Sequence, residues 1–124
     1  MLAAHNAARA TAGLPPLQMD PKLVTIARAR AQDMATRNYF SHTSPGGDTT
    51  FSLLGQAAYP YTIAAENIAR NNYPDAQAVS VAMDGFLNSA SHKENIIDTR
   101  FKNVGIGVAT GQDGMKYFSV IFSG

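Results

Sequence analysis

The sequence predicts an α+β domain: a three-layer α-β-α sandwich with a small central antiparallel sheet. Three observations predict it. Leu23, Ile26, Ala27, Ala31 and Met34 recur at helical spacing, so residues 21–38 form an amphipathic helix. Near the end, "NVGIGVA" and "YFSVIF" are two β runs joined by the turn-rich "TGQDG", an antiparallel hairpin. Both faces of Tyr117–Phe122 are apolar, so the sheet is covered on both sides.

The elements follow in order. Residues 2–12 are Ala-rich helix formers, Gly13 stands where a helix stops, and Pro15-Pro16 block its continuation. His5, on this first helix, reads as a surface residue. Asp20 is the N-cap of the next helix and Pro21 its first residue. Residues 43–48 are a loop by composition. Thr49 or Thr50 caps a short helix over 49–57, with Phe51, Leu54 and Ala58 inward. "IAAENIA", residues 63–69, reads as a short strand or an extended segment.

Pro74 and Asp75 open another helix, which ends near Ser89. Ala78, Val79, Ala82, Met83, Phe86 and Leu87 make its apolar stripe. In the hairpin, Gly105 and Gly107 share one strand face, while Val104, Ile106 and Val108 share the other. A glycine pair weakens a strand unless another backbone comes close. A helix packed tightly on that face is the expected reason.

The totals narrow the function classes. A length of 124 residues, 45% apolar and 15% charged, suits one globular domain over 1–124. The net charge is +1 and the Lys and Arg residues are scattered, which leaves no footprint for nucleic acid or an anionic membrane. There is no apolar run of bilayer length, hence no transmembrane segment. Residues 1–14 show no basic stretch followed by an apolar one, as an export signal would. With no cysteine there is neither a disulfide nor a thiol nucleophile. H-E-x-x-H, G-x-S-x-G and phosphate-cradling glycine loops are absent.

Three polar residues break the apolar pattern. His42 lies in "YFSHTSPGG", where a helix has ended and a Ser/Pro/Gly loop begins. Glu66 sits inside "IAAENIA", where a carboxylate is costly unless it is paired or faces solvent. His92 lies in "NSASHKENII", just after the predicted helix end. Each histidine reads as an imidazole bonding helix-terminal carbonyls or as a cleft group. Together, two imidazoles and a carboxylate suit a zinc-type site with an open position, or a structural polar network. They are too far apart in sequence for a local metal motif.

The motifs taken together resemble a known family. They are His5-Asn6-x-x-Arg9, Gly13-Leu14-Pro15-Pro16-Leu17, Asp20-Pro21-x-Leu23, Ala31-x-Asp33-Met34 and Tyr39-Phe40-Ser41-His42. Ala65-Glu66-Asn67-Ile68-Ala69, Asn88-Ser89-x-x-His92-x-x-Asn95-Ile96 and Val104-Gly105-Ile106-Gly107-Val108 continue them. In order and spacing these resemble the CAP or SCP superfamily of cysteine-rich secretory, antigen 5 and pathogenesis-related proteins, of bacterial type.

The resemblance implies an α-β-α sandwich with a large shallow cleft holding His42, His92 and Glu66. Ser89, Asn67 and Asn95 would line it, and Tyr39 and Phe40 would anchor the His42 end in the core. It implies a divalent metal such as zinc on His42 and His92, with Glu66 as a third candidate ligand. It also implies an extracellular or envelope location and a lipid, glycan or protein ligand. A binding module is the reading preferred, and a metal-assisted hydrolase using His42, Glu66 and His92 is the alternative. One departure matters. Phe86 and Ser89 stand where many eukaryotic members of the family carry Trp and a second acid; Asp84 lies on another side of the helix and Glu94 in the following segment, so neither replaces that acid.

Overall fold

A computed structural model describes residues 1–124 as five helices and four strands. Local chemistry sets the firmest boundaries. The Asp20 carboxylate accepts the N–H groups of Lys22 and Leu23 at 2.8 and 3.3 Å, which starts α2 (Pro21–Arg37). Asn38, at φ 54°, ends it in the left-handed conformation. Thr49 and Ser52 bond each other's backbone N–H in a capping box that starts α3 (Thr50–Gln56).

The sheet order is β1-β3-β4-β2, with β1 Gln18–Met19, β2 Ala64–Asn71, β3 Asn103–Thr110 and β4 Lys116–Ser123. The three long strands are antiparallel, as expected, and β1 adds a two-residue parallel pairing to β3. A strand this short, exposed at both residues, carries no alternation for sequence to show.

Strand β4 is central and buried on both sides. Tyr117 and Ile121 pack toward α2, while Phe118, Val120 and Phe122 pack toward α1 (Leu2–Thr11), α4 (Asp75–Leu87) and α5 (Ala90–Ile96). That is the predicted three-layer arrangement. Gly105 and Gly107 face α2, where the main chain at Leu23 and Ala27 occupies the space a Cβ would need.

Arg9 ties the second helical layer together. Buried, it donates to the carbonyls of Pro15, Ile96, Asp98 and Phe101, linking α1 to the end of α5.

Several expectations change. The helix predicted to run to about Ser89 ends at Leu87, and a second short helix, α5, begins at Ala90. Only Ile96 of α5 is buried, so no apolar stripe announced it. Phe51, Ala58 and Val79 are exposed rather than inward. Phe40 is 39% exposed and does not anchor the core; it lies under the Arg70 guanidinium, 4.8 Å from its ring centre.

His5 is the clearest reversal, fully buried instead of on the surface. Alanines surround it in sequence, but Phe86 and Phe122 pack against it from α4 and β4. Its Nδ1 bonds the Met1 carbonyl at 3.0 Å and its Nε2 has no partner. Burial lowers its pKa from 6.5, partly offset by the Met1 bond.

The unfolded chain therefore binds the proton better than the folded one. Stability should fall as pH drops through about 6.5 toward the lower folded value, and stay constant above that window. Urea unfolding at pH 7.5 and 5.5 measures this. In His5→Leu the decline should shrink; an undiminished decline would remove His5 as its source.

Candidate functional site

Strand β2 is an edge strand, and successive side chains on it point to opposite faces. Glu66 faces α2 and Asn67 faces α5. This alternation builds the site in two halves, one on each side of the strand.

In the first half, Glu66 is buried and its carboxylate accepts four donors. They are Arg30 Nε at 3.0 Å, Arg30 Nη2 at 3.2 Å, His42 Nδ1 at 2.9 Å and Ser119 Oγ at 2.7 Å. Burial pushes the carboxyl upward, but the bonds from His42, Arg30 and Ser119 outweigh it and hold it below the usual range. Arg30 is also buried and donates to Tyr39 Oη at 3.0 Å and to the Ser41 carbonyl at 2.7 Å. Tyr39 in turn donates to Asp33. Burial and the Asp33 bond push its hydroxyl pKa up to about 12. The network runs from surface to cleft and fixes the segment that carries His42, whose side chain is 57% exposed.

In the second half, His92 stacks on Phe86, ring centres 5.5 Å apart, and its Nδ1 lies 2.7 Å from Ser89 Oγ. Ser89 is the N-cap of α5, yet its hydroxyl caps nothing. It is spent on the imidazole instead, forgoing about 1 kcal/mol of capping. Burial first, then the neighbouring His42, lower the His92 pKa. Asn67 donates to the His92 carbonyl at 3.0 Å and accepts from Asn95 at 2.8 Å, which ties α5 to β2.

The structure thus brings His42, Glu66 and His92 to one edge of the sheet. Two open depressions lie along it. One, of about 410 Å³, is lined by His42, Glu66 and Asn95 among others; the next, of about 470 Å³, by Phe40, Phe86, Ser89 and His92. Asn67 is wholly buried beneath them and lines neither. Asp84 and Glu94 make no contact with either histidine's ring nitrogens.

Sequence reasoning missed Arg30 and Ser119. Arg30 did leave a signal. It falls four residues after Ile26 and four before Met34, on the apolar stripe of α2. A guanidinium there needs a buried carboxylate, and Glu66 was the one acid already out of place.

Comparison with known proteins bears out the family and the fold. The family model described as "Cysteine-rich secretory protein family", or CAP, matches residues 2–122. Protein YkwD of Bacillus subtilis is 37% identical over 102 residues, which is 82% of this chain and 38% of YkwD. An extracellular SCP-domain protein of Bacillus anthracis is 30% identical with a TM-score of 0.82, over 96% of this chain and 37% of that one. An outer surface protein of Borrelia burgdorferi, 22% identical over 98% of this chain and 87% of its own, shares the fold with a TM-score of 0.85. The chain spans well under half the length of the first two relatives. By the family match over nearly its whole length, it belongs to the cysteine-rich secretory protein (CAP) family.

Proposed function

We propose that this domain is an extracellular or envelope-associated binding module, and that its ligand seats in the cleft between His42 and His92. One observation carries the reading: both imidazoles are held through Nδ1, by Glu66 and by Ser89 respectively. Bonding one ring nitrogen orients the ring and leaves the other for a ligand. An ionised Glu66 can only accept, so His42 donates Nδ1–H to it and Nε2 carries the lone pair. With Nδ1–H given to Ser89, the same holds for His92. The Bacillus anthracis protein, described as extracellular, supports the location. No helix is long and apolar enough to cross a membrane.

The residues fit a divalent cation such as zinc only as a two-imidazole site. Glu66 accepts four donors, which suits it to orienting His42 rather than to ligating. No group of three His, Cys, Asp or Glu side chains converges. A catalytic zinc takes three ligands from its protein. Two suit a weak, exchangeable ion that would supply positive charge and free coordination positions to the ligand.

The hydrolase alternative draws on the close Ser89–His92 contact. It is weaker on two counts. No carboxylate bonds His92, and a Glu66 held below the usual carboxylate range by His42, Arg30 and Ser119 is a poor general base.

Zinc titration by calorimetry tests the metal reading. Heat is expected from the wild type and none from the His42→Ala/His92→Ala double variant. Ser89→Ala, which frees one ring, should weaken zinc by about 10-fold or more. A silent wild type, or heat that persists in the double variant, would overturn it.

A further inference from the structure

The register of β2 leaves part of its backbone without a partner. Ile63 and Gly124 exchange both N–H···O bonds, so in the antiparallel pairing with β4 the bonded residues of β2 are 65, 67, 69 and 71. The N–H and C=O groups of Ala64, Glu66, Ile68 and Arg70 then point away from β4. No strand lies beyond β2, and no loop bridges to it.

This edge is also the floor of the cleft. Ala64, Ala65 and Glu66 line the first depression, and Ile68 to Asn71 line the second. Glu66 as a residue is 8% exposed while its side chain is only 3% exposed, so what can be reached from outside is mainly its backbone. Glu66 and Ile68 are buried residues, and buried main-chain donors and acceptors demand partners. His42 is tied to this row through Glu66, and the His92 main chain is tied to it through Asn67.

We propose that the outer edge of β2 takes an extended peptide as a fifth strand, its backbone bonded to Ala64, Glu66, Ile68 and Arg70. The proposal rests on reading the cleft as the ligand site and names the ligand's class. A single chain fits better than another protein's sheet, because His42 and Thr43 and, from α5, Asn95 line the same depression as the edge and leave it recessed. A main-chain ladder supplies affinity and the flanking pockets supply preference. The exposed Phe40 ring, with Phe86, Ile68 and Val81, offers an apolar side chain a seat in the second depression. Arg70 is the fixed charge there, and the only acid lining either depression is Glu66, already fully bonded. The chemistry therefore favours a peptide with an apolar residue near an acidic one, and disfavours a basic peptide.

The test selects binders from a library of random linear octapeptides displayed on phage, with EDTA present and the whole 124-residue chain as bait. The tightest synthetic binder is then N-methylated one position at a time. Methylation at alternate residues should weaken binding roughly tenfold or more, and at the residues between them hardly at all. Amide exchange read by NMR should show Glu66 and Ile68 slowing when the peptide binds, while Asn67 and Ala69 are slow with or without it. Ala64→Pro removes an outward N–H but no bond to β4. It should weaken the peptide several-fold while the amides of Asn67 and Ala69 stay slow, which shows the pairing with β4 intact. A library that yields no binder, or affinity indifferent to the methylation pattern, overturns strand pairing. Because EDTA excludes metal, zinc heat without peptide pairing would sink this proposal and spare the metal reading, and peptide pairing without zinc heat would do the opposite.

Discussion

Gly105→Ala and Gly107→Ala are each expected to lower the unfolding free energy by about 3 kcal/mol or more, or to prevent folding. A Cβ on Gly105 would fall on the main-chain carbonyl of Leu23, and one on Gly107 on the main chain of Ala27 and Arg28. The obstacle is helix backbone, which cannot rotate away as a side chain can. Relief requires α2 to retreat from β3, opening the Leu23, Ile26, Ala27 and Ile121 cluster. Overpacking usually costs about 1–3 kcal/mol, and a rigid neighbour puts these sites at or above the top of that range. Gly85→Ala is the control. It lies within α4 with nothing close to a new Cβ, so it should stabilise by about 0.5–1 kcal/mol. Urea unfolding of all three variants decides the matter. A loss below about 1 kcal/mol at both strand glycines would mean that α2 is not docked this closely.

Arg30→Met should be nearly as damaging, by about 3–5 kcal/mol, because it leaves the buried Glu66 carboxylate without its cation. Adding Glu66→Gln should cost less than the two single losses combined, since the amide needs no countercharge. The pH response should also change sign. In the wild type the folded pKa of Glu66 is depressed below 4.5, so its contribution is present above that pH and is lost as pH falls toward the folded value. Burial is already the largest single influence on this carboxyl, and without Arg30 only the His42 and Ser119 bonds oppose it, so the carboxyl rises. The folded state then holds the proton better, and Arg30→Met should regain stability as pH is lowered from 7 toward 5. Denaturation midpoints at several pH values report this. A variant whose acid profile parallels the wild type would show that Arg30 does not govern this carboxylate.

Much of the frame was legible because its signals are short-range. Asp20-Pro21 marks a helix start through contacts within three residues. The glycines at 105 and 107 announced a close backbone because a strand tolerates such a pair for few other reasons. The unbroken apolar run of β4 announced cover on both faces. The outliers His42, Glu66 and His92 were visible one at a time because each interrupts a local pattern.

Other features left no such trace. Helix α5 and strand β1 are too short and too exposed to show a period. His5 looked superficial because its burial comes from Phe86 and Phe122, remote along the chain. Phe40 looked like an anchor because an aromatic beside Tyr39 gives no sign of which way it turns.

The sequence alone determined the three-layer class, a helix close against the glycine face of β3 and the presence of two imidazoles and an acid where apolar residues were due. These follow from periodicity, capping and conformational limits acting over a few residues. Only the tertiary structure decided that α2 is the helix on the glycine face, that Glu66 belongs to Arg30 and His42, that Ser89 takes the role of holding His92, and that the free edge of β2 lines the depressions of both histidines. Those depend on which distant surfaces meet and in what register, and a hydrogen bond reaching across 36 residues of chain leaves no imprint on the order of its neighbours.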